Sequence, residues 1–133
     1  MSAERPKFDR YVPGRHAIEA YGSGGFRFAG MSHVGSILAT PKGIGAVDIG
    51  NARDLAPAIL APLFAELAAE PGSVEFLVIG QGERMAPLPR AFKDCLRAAG
   101  LRFEAMATGP AARVYNVMMD ENRRVAALLI AAP

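Results

Sequence analysis

The segment from Thr108 to Ile130, TGPAARVYNVMMDENRRVAALLI, narrows the folds open to this chain more than any other. It runs from a helix start through a polar cluster into Val125–Ile130, which is apolar on both faces. A strand with no polar face must be covered above and below, so it belongs inside a sheet and not at its edge. Val74–Ile79 has the same character after Glu75. Between these two strands lie a helical stretch over about Pro89–Ala99, ended by Gly100 in a favourable capping position, and a short β element at Arg102–Ala105. Thr108 is a good helix N-cap, with Gly109 and Pro110 in the first turn, where the missing proline donor costs nothing. The C-terminal half therefore reads β-α-β-α-β.

The N-terminal half has a different period. Ile18 and Ala20 alternate with polar neighbours, Gly22-Ser23-Gly24-Gly25 turns the chain, and Phe26 and Phe28 resume the alternation as in a short hairpin. Strands are expected at Val34–Ala39 and Ile44–Ile49, joined by the turn Pro41-Lys42-Gly43, so this half is a β meander. Asp54 can then cap a helix that carries Leu55, Ile59, Leu63 and Leu67 on one face. Pro57 sits safely in its first turn, whereas Pro62 should kink the helix or begin a second segment. The first 15 residues, with Pro6, Pro13, Gly14 and little apolar periodicity, read as a flexible arm, and residues 16–133 as one α/β domain.

Charge and cysteine content exclude several classes. A chain of 133 residues with 51% hydrophobic and 21% charged residues is long enough for one real core and too apolar for disorder. Its 15 basic and 13 acidic residues are scattered, which is too balanced for a nucleic-acid footprint. No apolar run approaches the roughly 20 residues of a membrane-spanning helix, which leaves only peripheral membrane association open. The N-terminal arm lacks the apolar run of a secretory signal, so a cytoplasmic protein is expected. Cys95 has no disulfide partner and reads as a small packed residue. His16 and His33 have no metal-ligand spacing and cannot complete a zinc set with one distant cysteine; no metal or cofactor is expected.

Two motifs carry what chemistry the sequence offers. Gly80-Gln81-Gly82 follows a buried strand, where α/β proteins commonly bind ligands and where glycines let a backbone approach an anion. The dinucleotide fingerprint fails, because Met85 occupies the third glycine position and Pro87 and Pro89 delay the helix. The helix from Thr108 supplies Arg113 and Asn116, able to hold a carboxylate or phosphate, with Tyr115 one residue round. The structural alternative is that Tyr115 packs, Asn116 satisfies a loop backbone and Arg113 pairs with an acid such as Glu83 or Glu104. If Gly80–Gly82 meet Thr108, Arg113, Tyr115 and Asn116 at one sheet edge, they form the best pocket candidate.

The order strand, FLVIGQGER, helix, strand, Thr108, helix with Tyr115-Asn116, Glu121-x-Arg123 and apolar strand resembles the small α/β domain family that includes the mitochondrial complex I (NADH:ubiquinone oxidoreductase) assembly factor 3. The resemblance covers about His16 to Ile130. It implies a single three-layer domain, with a mixed central sheet, helices on one side and the N-terminal β meander as a second β layer. It also implies that Glu121 with Arg123 or Arg124 forms a structural ion pair at the turn into the last strand. Many relatives have Cys at Ala112, a hydroxyl residue at Val114, Thr at Gln81, Gly at Asn122 and Trp near Val47; thiol chemistry at Ala112 is therefore absent here.

Two functions follow. The first, which the resemblance implies, is a non-enzymatic protein-binding domain in a bacterial relative, assisting a respiratory or other membrane complex, and an apolar patch at Phe26, Phe28 and Met31 is the sequence feature that would serve it. The alternative is an enzyme of unknown reaction or small anionic-ligand binder at the Gly80–Gly82 edge. Self-association through a sheet edge or an apolar face is compatible with either.

Overall fold

The computed structural model describes residues 11–133. Nine strands and three helices are seen among them: β1 (Tyr11–Pro13), β2 (Ile18–Gly22), β3 (Gly25–Phe28), β4 (Met31–Val34), β5 (Ser36–Thr40), β6 (Gly43–Val47), α1 (Ala61–Ala69), β7 (Phe76–Gly80), α2 (Arg90–Ala98), β8 (Arg102–Met106), α3 (Thr108–Asp120) and β9 (Val125–Leu129). Six strands form a mixed sheet in the order β1-β6-β5-β9-β7-β8, and β2-β3-β4 form a separate antiparallel sheet. The apolar runs lie where two-sided burial requires: β9 sits between β5 and β7, and every residue of β9 is buried.

The expected meander is divided between the sheets. The strand anticipated at Val34–Ala39 breaks at Gly35, whose φ of 106° is open to glycine and strained for other residues. That bend hands the chain from the small sheet to the large one. Of the arm assigned to residues 1–15, residues 1–10 lie outside the described residues, while Tyr11–Pro13 pair antiparallel with β6 at the sheet edge. Val12 is buried there, and the proline occupies an edge position where its missing N–H is tolerated.

The helix anticipated from Asp54 is a staircase. Two 3₁₀ turns, Ala52–Asp54 and Pro57–Leu60, precede α1, and Pro62 stands in the first turn of that helix, as its ring requires. The capping side chain is Asn51, which accepts the Arg53 N–H at 3.1 Å, so Asp54 is not the cap.

The layers follow from the crossovers. β7 steps to β8 through α2, and β8 steps back across β7 to β9 through α3, with all three strands parallel. Right-handed crossovers that run in opposite directions place their helices on opposite faces. Phe92 and Leu96 of α2 accordingly pack with Leu77, Ile79 and Leu63 of α1, whereas Ala111, Ala112 and Tyr115 of α3 pack with Val78 and with Phe26 and Phe28 of the small sheet. The helix layer is thus α1 and α2, and α3 lies beside the second β layer.

Candidate functional site

The reversal of strand order puts a crevice between β7 and β9 at their carboxyl ends, the place where open α/β sheets take ligands. Here the protein fills it. Thr108 is wholly buried, and its hydroxyl accepts the Gly82 N–H at 2.8 Å and donates to the Ile130 carbonyl at 2.7 Å. The Gln81 N–H bonds the Met106 carbonyl at 2.8 Å, and the Ile130 N–H bonds the Gly80 carbonyl at 2.9 Å. Gln81 closes its own loop, donating to the Ala86 carbonyl at 2.9 Å and accepting the Ala86 N–H at 3.1 Å. The Gln81 and Gly82 amides expected to cradle an anion are therefore bonded inside the chain. Thr108 is not the N-cap, since Ala107 holds that position and the hydroxyl is engaged across the sheet edge.

Gly80 explains the close fit. A Cβ there would stand 2.9 Å from the Thr108 Oγ1 and 3.0 Å from a Leu129 methyl, so only glycine lets α3 seat on β7. Outside this seal, a cleft of about 430 Å³ runs between the loops Gly50–Arg53 and Gln81–Ala86. Arg53 and Arg84 line it, both exposed and without an ion pair among the described residues.

The α3 residues expected at the same pocket lie elsewhere. Asn116 accepts the Ile18 N–H at 2.8 Å and donates to the Ile18 carbonyl at 2.9 Å, copying a peptide group and clamping β2 onto α3. Arg113 is exposed beside it in a shallow cavity of about 340 Å³ against Glu19 and Tyr21, and forms no ion pair with Glu83, Glu104 or any other described acid. Tyr115 is in the core at 1% exposure. Burial pushes its hydroxyl up to about 12, against the opposing pull of the Arg15 charge. The structure thus joins Gly80, Gln81, Gly82 and Thr108, and separates Arg113, Tyr115 and Asn116 from them.

Two further expectations are corrected. Phe26 and Phe28 are 4% and 1% exposed and form part of the core, because the apolar side of the β2–β3 hairpin is the side that packs. Met31 and Val34 are the exposed apolar residues on β4, at 36% and 85%. The acid that meets Arg123 and Arg124 is Glu75, at 3.8 and 3.3 Å, and not Glu121. The register Phe76↔Val125 sets Glu75 and Arg124 side by side before their parallel strands, while Glu121 stays at the end of α3, one residue before the left-handed turn at Asn122, φ 63°.

Cys95 is half-buried, with its thiol donating to the Phe92 carbonyl at 3.1 Å. Burial and the Asp94 charge push that thiol above its ordinary range, which disfavours the nucleophilic thiolate. Among the described residues no group of three or more His, Cys, Asp or Glu is placed to hold a metal ion.

Sequence reasoning missed Glu66. It stands three residues after Leu63 on the edge of the apolar stripe, an acid where a core-facing helix approaches the sheet. One of its carboxylate oxygens accepts the Thr40 hydroxyl and the other is buried.

Comparison with known proteins places residues 18–130 under the family model described as "Protein of unknown function (DUF498/DUF598)". An uncharacterized protein of Rhodobacter capsulatus is 36% identical over 133 residues, covering 100% of this chain and 95% of that protein. The NADH dehydrogenase [ubiquinone] 1 alpha subcomplex assembly factor 3 of Xenopus tropicalis is 33% identical over 113 residues, 85% of this chain and 60% of that protein. Among solved structures, the crystal structure of an outer membrane protein from Bartonella henselae superposes with a TM-score of 0.79 at 39% identity, over 91% of this chain and 98% of that one.

Proposed function

The chain belongs to the family described as protein of unknown function (DUF498/DUF598), and from that premise we propose that it is a non-enzymatic protein-binding domain assisting assembly of a respiratory or other membrane complex. The observation that carries this reading is the 33% identity to the frog assembly factor across 85% of the chain. The internal bonding of the Gln81 and Gly82 amides also favours it, since the loop that would otherwise cradle an anion is engaged in holding α3. The surface we assign to the partner is the β4 rim. Met31 and Val34 are exposed there on a strand without charged residues, whereas β8, at the edge of the large sheet, carries Arg102 and Glu104 on exposed positions that discourage pairing.

No helix among the described residues is long and apolar enough to cross a membrane. We place the domain in the cytoplasm, working on its client from outside the bilayer. The test is mass spectrometry of what co-purifies with the tagged protein, at native expression in its own organism, after gentle membrane solubilisation. Respiratory-complex subunits or assembly proteins should be recovered, and Val34→Asp should lose them with an unchanged melting temperature. Recovery of the protein alone, or its fractionation with an outer membrane, overturns the reading.

A second reading, a binder of small anions at the Gly80–Gly82 edge, is favoured by Arg53 and Arg84 lining the adjoining cleft. Inorganic phosphate should then raise the melting temperature of the wild type and not of Arg84→Ala. Equal shifts in the two proteins exclude it.

A further inference from the structure

The end of the large sheet that lies under α1 contains a cavity of about 140 Å³ lined by Tyr11, Leu38, Thr40, Gly43, Val47 and Glu66, among others. Its origin is in the register. Leu38 faces Gly45 and Thr40 faces Gly43, while Tyr11 faces Gly45 from the other side. Cross-strand partners project to one face, so glycine at positions 43 and 45 leaves a trough there, which the Tyr11 ring enters over Gly43. Tyr11 roofs part of it, since a Cβ on Gly43 would meet the Tyr11 Cζ and Oη at 2.5 Å. Pro62 and Glu66, one turn apart on α1, close the other side. The space corresponds to between four and five water molecules at roughly 30 Å³ each, or a short alkyl chain.

Its polar end is a carboxylate with one acceptor satisfied and one not. Glu66 Oε2 accepts the Thr40 hydroxyl, while Oε1 is buried and has no hydrogen-bond partner among the described residues. A buried, unpartnered carboxylate oxygen is costly, and a cation that reaches it recovers that cost. None of the described residues lining the cavity is basic. Lys42, whose N–H bonds the Thr40 hydroxyl oxygen at 3.2 Å, directs its ammonium to Glu70 at 3.9 Å. The charge of Glu66 is felt at the Tyr11 hydroxyl, which is raised by burial and then by that carboxylate.

We propose that this cavity binds a primary alkylammonium group, with the aliphatic stem against Leu38, Val47 and Gly45 and the ammonium on Glu66 Oε1 beside the Tyr11 ring. The inference stands apart from the protein-binding reading. An ammonium suits the site better than its rivals on simple grounds. It is a compact point charge on an apolar stem, whereas a guanidinium asks for paired acceptors and a divalent cation for several oxygen ligands.

The experiment is an NMR titration of the ¹⁵N-labelled full chain with n-butylammonium chloride, with n-butanol as the neutral isostere and sodium chloride as the salt control. Saturable shifts are expected at the Leu38, Gly43 and Gly45 amides, with butanol and Glu66→Gln each weakening binding at least about tenfold. Absence of saturable shifts in the wild type, or equal affinity for butanol, overturns the proposal without reliance on a variant. Undiminished binding by Glu66→Gln, with the rest of its spectrum superimposing on the wild type, overturns it as well.

Discussion

The two ends of the large sheet meet the same structural problem and answer it differently. At the carboxyl ends of β7 and β9, glycines bring α3 close and a buried polar side chain, Thr108, enters the gap. At the β5–β6 end, glycines again thin the sheet and a polar side chain, Glu66, reaches down from α1. Thr108 has one donor and uses it, and it accepts the nearest unsatisfied amide, so the first gap is closed. Glu66 has no donor and meets one among the described residues, so the second gap keeps an unmatched acceptor there. A glycine beside a sheet therefore marks a close approach, and the balance of donors and acceptors decides whether the approach is sealed or left as a site.

The contrast can be broken most directly at Thr108. Thr108→Val keeps the volume and orphans the Gly82 N–H and the Ile130 carbonyl, for an expected loss of about 2 to 5 kcal/mol in urea unfolding. A loss under about 1 kcal/mol would mean that the crevice is not sealed by that hydroxyl. The packing of α3 behind the seal has a pH signature. Tyr115 is raised from 10.0 to about 12 by burial, so between those values the unfolded chain has lost a proton that the folded chain keeps. Stability present below pH 10 should then fall as pH rises toward 12, by about 2 to 3 kcal/mol, and Tyr115→Phe should remove that slope.

Smaller effects sharpen the same comparison. Gly80→Ala pushes a methyl to 2.9 Å from the Thr108 Oγ1 and 3.0 Å from Leu129, and should cost about 1 to 3 kcal/mol by thermal melting. At the open end, Glu66→Gln keeps an acceptor for Thr40 and removes a buried charge, so it should shift stability by less than about 1 kcal/mol and in the stabilising direction. A destabilisation as large as that of Thr108→Val would make the two ends equivalent and end the distinction.

Much of the architecture could be read from the chain because its causes are local. Val125–Leu129 is apolar at every position and occupies the interior of the sheet, and Pro62 opens a helix where its ring forbids an interior turn. Gly100, at φ 75°, ends α2 as a capping glycine should. The site was less legible. The grouping of Gly80, Gln81, Gly82, Thr108, Arg113, Tyr115 and Asn116 was a condition on the fold, and the structure brings only the first four together, with the Gly82 amide turned to a hydroxyl 26 residues away in the chain. Asn116 illustrates the same limit, since its two hydrogen bonds go to Ile18, 98 residues distant.

Residue type and spacing were enough for the number and order of the β-α-β-α-β elements and the turn at Pro41–Lys42, while the family was legible through a resemblance of whole motifs. Periodicity and turn propensity act over a few residues, so they are written in the chain directly. The contacts were set by folding: Phe26 and Phe28 inside and not on the surface, Glu75 and not Glu121 beside Arg123 and Arg124, and α3 on the face opposite α2. Each of these depends on which strand lies next to which. Strand order follows from the direction of the crossovers and the burial of whole faces, which are properties of the assembled sheet and of no segment alone.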